Sequence, residues 1–270
     1  MGDEIAIEER GSGEPLVLLH GVGTTRAIWH RVVPDLATDR RVVLVDVPGF
    51  GQSAPIGHGF ELEPVANAIG DAMSERIGDG YDLVGTSLGG ALAITLASER
   101  PASVRKLILA APAGFRPHPT GIARLAGHVG AAIVRVRREI GHRALIGRPA
   151  GRRALLWGVA ADGARIPPAD VHLILSASRA ARRVREAVRA AAAADLHPVV
   201  HRVRGPLGLL WGERDVVVPI ANSRGIVAAR PEAPFEIIAN AGHIPHLESP
   251  REWTAAVRRL FDRLHDASIG

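Results

Sequence analysis

The chain has 270 residues, 47% of them hydrophobic, with no cysteine and a formal charge of +5. That is enough to build one α/β domain, plain or carrying a large insertion, and it excludes disulfides, thiolate metal sites and a cysteine nucleophile. The basic residues are 32 arginines and a single lysine, Lys106, with 4% aromatics and no nucleic-acid motif, so the charge reads as compositional bias and nucleic acid is excluded as a partner.

The N-terminus carries Asp3, Glu4, Glu8 and Glu9 in place of a basic and then apolar leader, and no apolar run approaches the roughly 18 residues of a membrane span. A cytoplasmic protein without a transmembrane segment is expected. Short apolar runs between turn signals predict buried strands at Pro15–Leu19, Arg41–Val47, Tyr81–Val84, Lys106–Ala110, Pro206–Trp211 and Phe235–Ile238. Helical patterns alternate with them at Ile28–Leu36, Glu61–Ile77, Leu88–Arg100, Pro219–Ala229 and Arg251–Leu264. The alternation predicts an α/β fold with a mostly parallel sheet flanked by helices.

Residues 112–200 break this rhythm. They contain no strand pattern, are rich in alanine and arginine, and show helical spacing in Ile122–Ile140 and Asp170–Ala194. In the second, Val171, Ile174, Ser178, Ala181, Val184 and Val188 share one face, with Arg179, Arg182, Arg183 and Glu186 on another. The segment divides the chain into a core domain, 1–111 and 201–270, and an inserted helical lid, 112–200, expected over the carboxyl ends of the strands where open α/β sheets bind ligands. The insertion holds 15 arginines against 5 acids. These form either a solvated helix face or a surface that draws in an anionic substrate or an anionic lipid headgroup.

The most informative feature is Gly85-Thr86-Ser87-Leu88-Gly89, set between a strand and a helix. Chance would supply the pattern G-x-S-x-G roughly 0.1 times in a chain with this much glycine and serine, so its neighbours must carry the case. A serine raised on a tight strand-to-helix turn is a poor nucleophile until a histidine takes its proton and a carboxylate orients that histidine. His243, in a loop after the last strand, is the expected base, with His246 its rival. Asp215, after the strand Pro206–Trp211, is the expected carboxylate; Glu213 reads as a loop charge or a partner of Arg214. Acyl transfer also needs donors for the developing oxyanion, and the backbone amides of Val22 and Leu88 are the candidates. His20, at the end of a strand, reads as structural, and Asp46 reads either as lining the pocket entrance with Gly49–Gly51 or as a turn cap.

Five segments in this order, His20–Gly23, Asp46–Ser53, Gly85–Gly90, Trp211–Asp215 and Gly242–Glu248, resemble the α/β-hydrolase superfamily, and the resemblance covers nearly all of the chain outside the insertion. It implies an eight-stranded, mostly parallel sheet, a triad of Ser87, Asp215 and His243, and no cofactor or metal. The N-terminus has room for only one or two short strands before Pro15. A serine hydrolase cleaving an ester, thioester or lactone of a small-molecule acyl substrate follows. Within the same fold, Pro48–Gly51 and the basic insertion resemble carbon–carbon bond hydrolases of ring-fission products, and His20–Trp29 resembles enol-lactonases. Cofactor-free perhydrolysis of the haloperoxidase type and a non-catalytic ligand-binding protein are the remaining readings, while Ser87 in place of an aspartate argues against haloalkane dehalogenase and epoxide hydrolase chemistry.

Overall fold

The structure is a computed structural model, which describes residues 5–116 and 143–266. The predicted helix Ile122–Ile140 lies outside them. Seven strands form one sheet: β1 (Ile7–Arg10), β2 (Glu14–Leu19), β3 (Arg40–Val45), β4 (Tyr81–Thr86), β5 (Val104–Ala110), β6 (Leu207–Gly212) and β7 (Phe235–Ile238). Their order is β1-β3-β2-β4-β5-β6-β7, with β1 antiparallel to β3 and all other pairs parallel.

The resemblance implies eight strands, and the described residues hold seven. Strand β1 pairs along the edge of β3 and is prolonged by the Asp46 amide donating to the Ala6 carbonyl at 3.0 Å.

The strands read as unbroken apolar runs because both faces of the sheet are covered. Leu16 and Leu18 point to one face and Val17 and Leu19 to the other, and all four are fully buried. The face of Val17 and Leu19 packs under α1 (Leu62–Ile77) and α2 (Leu88–Glu99). On the opposite face Trp29 packs with Trp253, Val257 and Leu260 of the C-terminal helix. The chain runs from β2 to β3 on one side and returns to β4 on the other, so the switch point of the sheet lies between the carboxyl ends of β2 and β4.

Between β5 and β6 the described residues contain α3 (Pro149–Leu155), α4 (Pro168–Ala180) and α5 (Val184–Ala193), with single turns at Arg143–Ile146 and His197–Val200. The C-terminal helix is α6 (Pro250–Asp266). The sequence predicts one helix over Asp170–Ala194; the chain instead breaks at Ala181, whose ψ of 131° is extended. A tertiary bond compensates the break: the Arg182 amide donates to the Gly49 carbonyl at 3.0 Å. The turn also moves the buried stripe, so that Ala187 is buried and Val188 only partly so. Ile28–Leu36 is likewise not one helix but a 3-10 turn, Arg26–Trp29, and a short turn, Val33–Leu36. Pro34 lacks the amide that would bond back to His30 and so cannot continue a helix from it.

Contacts at four places tie residues 159–196 to loops that follow strands of the sheet. Ser178 of α4 packs against Gly23 after β2, and Arg182 and Arg183 hold the loop after β3. The Leu196 amide donates to the Gly114 carbonyl beyond β5, and residues 159–161 meet the loop after β7.

Candidate active site

Ser87 stands at the junction of β4 and α2 with φ 54° and ψ −116°. A non-glycine residue held there costs about 1–3 kcal/mol and persists only where the surroundings fix it. The Ser87 amide donates to the Ala110 carbonyl at 3.0 Å, and its own carbonyl accepts from Ala91 at 3.1 Å and Ala113 at 3.0 Å. The flanking glycines serve by close approach. A Cβ on Gly85 would overlap the Gly89 carbonyl oxygen, one on Gly89 would overlap that of Leu19, and one on Gly90 would lie 2.8 Å from Pro112 Cβ. The turn is therefore wedged between the ends of β2 and β5.

The loop after β2 lies directly against Ser87, because a Cβ on Gly21 would be 3.3 Å from Ser87 Cβ and 3.8 Å from Oγ. Its shape is set by His20, which is fully buried. The Val47 amide donates to His20 Nε2 at 3.0 Å, so that nitrogen is the acceptor and the ring proton sits on Nδ1, which donates to the Gly21 carbonyl at 2.9 Å. Thr24 Oγ1 donates to the same carbonyl at 2.8 Å. No peptide bond among the described residues is cis, so the N–H of the Gly21–Val22 peptide points away from that pinned oxygen. Neither the Val22 nor the Leu88 amide donates to another group among the described residues. Burial holds the His20 pKa below the ordinary histidine value.

The loops that carry His243 and Asp215 come together. His243 Nδ1 donates to Asp215 Oδ2 at 2.7 Å, and Asp215 Oδ1 accepts from the amides of Val217 and Val218, each at 2.9 Å. The Asp215 side chain is 0% exposed and that of His243 11%. With Nδ1–H committed to the carboxylate, a neutral imidazole leaves Nε2 as its acceptor. Ser87, 9% exposed, makes no side-chain hydrogen bond among the described residues. All of these residues follow the carboxyl ends of strands: the His20–Gly23 loop β2, Ser87 β4, Asp215 β6 and His243 β7.

The rival histidine is elsewhere. His246 is buried against Trp29 and Trp253, with ring centroids 4.7 and 6.2 Å away, and neither ring nitrogen has a hydrogen-bond partner among the described residues. Burial lowers its pKa to about 3. Glu213 does not pair with Arg214; its Oε2 accepts the Asn240 amide at 2.8 Å. Of the two roles the sequence allows Asp46, the structure shows the turn cap: it accepts the amides of Arg26 at 2.7 Å and Gln52 at 2.9 Å and pairs with the Arg26 guanidinium. Sequence reasoning missed two features of this edge. Glu248 bonds the His243 loop to the insertion, and Arg182 and Arg183 clasp the loop after β3 through its carbonyls, where the sequence offers only a solvated face or an anion site.

A parallel sheet with an antiparallel first strand, a strained serine between strand and helix, and a histidine bonded to a buried aspartate across the carboxyl edge define a hydrolase of the α/β class. The chain belongs to the alpha/beta hydrolase family, whose model matches residues 16–257. It is 28% identical over 265 residues to the pimeloyl-[acyl-carrier protein] methyl ester esterase of Chromobacterium violaceum, covering 93% of this chain and 95% of the relative. It is 28% identical over 250 residues to the 2-hydroxy-6-oxo-6-phenylhexa-2,4-dienoate hydrolase of Burkholderia cepacia, covering 88% and 84%. Among solved structures, the enol-lactonase of Burkholderia xenovorans LB400 superposes with a TM-score of 0.76 at 21% identity, covering 96% of each chain. No helix among the described residues is long and apolar enough to cross a membrane.

Proposed function

We propose that the protein is a serine hydrolase that cleaves a carboxylic ester, thioester or lactone through an acyl-enzyme. The observation that carries this reading is the 2.7 Å bond from His243 Nδ1 to a fully buried Asp215, at the same sheet edge as a serine held at φ 54°. Ser87 Oγ attacks the carbonyl carbon while His243 Nε2 takes its proton. The amides of Val22 and Leu88 receive the oxyanion, a contribution of roughly 3–4 kcal/mol per donor in comparable sites. Collapse breaks the carbonyl-to-leaving-group bond, and His243 returns the proton to the departing alcohol or thiol. Water then adds to the acyl-enzyme with His243 again as base, and the free acid leaves with Ser87 restored.

Asp215 acts throughout as an ion that fixes the tautomer and stabilises the imidazolium. Its hydrogen bonds from the Val217 and Val218 amides hold it aimed at the imidazole. Hydrolysis of p-nitrophenyl esters by the full chain, abolished in Ser87→Ala with folding intact, tests the reading. Turnover that survives the substitution overturns it, and ligand binding without turnover in either form would mark a non-catalytic member of the fold.

A second reading, hydrolytic cleavage of a carbon–carbon bond beside a ketone, is favoured by the similarity to the Burkholderia cepacia dienoate hydrolase over 84% of that protein's length. The same serine, histidine and oxyanion donors would serve it, with a carbanion as leaving group. A panel of simple esters against 2-hydroxy-6-oxo-dienoates separates the two by kcat/KM.

A further inference from the structure

We propose that Glu248 is a positioning residue for His243, tying the main chain of the base's loop to residues 159–161 of the insertion. The proposal rests on the reading of His243 as the base. Glu248 Oε1 accepts the Gly242 amide at 2.8 Å, and Oε2 accepts the Ala161 amide at 2.7 Å. The amide of Ile244 also favours its charged form. One carboxylate therefore holds the amide of the residue before His243 and an amide from a segment about 80 residues earlier in the chain. The bonding is reciprocal, since the His243 amide donates to the Val159 carbonyl at 2.8 Å.

The two segments pack without spare room. A Cβ on Gly242 would lie 2.7 Å from the Ala161 nitrogen and 2.8 Å from the Val159 oxygen. The imidazole is thus held at its ring by Asp215 and at its backbone by a knot centred on Glu248, and a shift of the insertion segment is transmitted to the base.

The charge on Glu248 is supported by amides alone. No cation pairs with it among the described residues, its own turn carries the uncharged His246, and the nearby carboxylate of Asp215 repels it. Burial, with Asp215 adding in the same direction, raises its pKa above the ordinary glutamate value. A plain helix cap would carry the same bonds without affecting the base, so the test must read His243 itself.

Three measurements on the full chain decide the matter. In the wild type, the amide NMR shifts of Ala161, Gly242 and Ile244 are expected to titrate with one shared midpoint, above the roughly 4.3 of an unperturbed glutamate. In Glu248→Gln, kcat for p-nitrophenyl butyrate is expected to fall roughly 10- to 100-fold with KM changed less than about threefold, as for a catalytic group displaced by a fraction of an ångström. The downfield proton resonance of His243 Nδ1–H is expected to shift or broaden in the same variant. A kcat within about twofold of wild type and an unmoved Nδ1–H resonance overturn the proposal. If the variant does not fold, the wild-type titration decides: amides without a shared midpoint overturn it. If Ser87→Ala retains full turnover, the serine mechanism fails separately, and the amide titration with the Nδ1–H resonance still judges the link between Glu248 and His243.

Discussion

His20 carries its ring proton on Nδ1 because Nε2 accepts the Val47 amide at 3.0 Å, and that proton fixes the Gly21 carbonyl at 2.9 Å. The tautomer chosen at the end of one strand thereby orients the Gly21–Val22 peptide in the loop that lies against Ser87. In the proposed mechanism His20 acts through this peptide.

Replacing His20 by alanine is expected to have two separable effects. The buried Val47 amide loses its acceptor, which costs about 1–3 kcal/mol of stability. The Val22 donor also loses its fixed direction, so kcat is expected to fall toward the roughly 10²- to 10³-fold loss seen when one oxyanion donor is removed, with little change in KM. Thermal melts and steady-state kinetics on one ester check both, and a variant of lowered stability but unchanged kcat would show that the peptide is held by other means.

Acid is expected to destabilise the fold through its buried histidines. Burial lowers the pKa of His246 to about 3 and that of His20 in the same direction, so the unfolded chain binds protons that the native state refuses. The stability these groups contribute is complete above the unfolded value of about 6.5 and is lost as pH falls toward the native value. For His246 the loss reaches at most about 1.4 kcal/mol per pH unit. His246→Phe keeps the aromatic contacts with Trp29 and Trp253, discards two nitrogens that lack a hydrogen-bond partner among the described residues and is expected to flatten this slope. Urea unfolding at pH 7, 6 and 5 compares the two; parallel pH dependences would contradict the assignment.

The insertion is fastened to the loop after β3 by the pair Arg182 and Arg183. Arg182 Nη2 donates to the Ser53 carbonyl at 2.6 Å and Arg183 Nη2 to that of Gly57 at 3.0 Å. Gly49 adopts φ +86°, and a Cβ there would lie 2.6 Å from Arg183 Cγ. Gly49→Ala therefore combines backbone strain with a clash and is expected to cost about 2–3 kcal/mol, lowering Tm by roughly 5 °C or more. Arg182→Ala, which removes a part-buried bond to the Ser53 carbonyl, is expected to cost about 1 kcal/mol and to speed limited proteolysis near residue 182. Equal proteolysis of wild type and Arg182→Ala would show that the clasp does not restrain the insertion.

Much of the fold was legible because burial on both sheet faces writes the central strands as continuous apolar runs, as at Leu16–Leu19 and Leu207–Trp211. The serine turn was legible for a local reason, since the glycines at 85, 89 and 90 mark a backbone that passes too close to its neighbours for a side chain. The break at Ala181 was not legible: no proline or glycine marks it, and it exists because Arg182 finds an acceptor at Gly49, about 130 residues away. Pro34 did mark the break in Ile28–Leu36, and the apolar pattern around it hid the signal. The role of Glu248 depends on which amides the fold brings to its two oxygens, and spacing along the chain does not encode that.

The central claim is that Ser87 forms the acyl-enzyme. A fluorophosphonate probe with intact-mass and peptide analysis tests it most directly. One adduct per chain, mapped to Ser87, lost in Ser87→Ala and strongly slowed in His243→Ala, is the predicted result. A folded, active protein that remains unlabelled, or that labels at another residue, would contradict it.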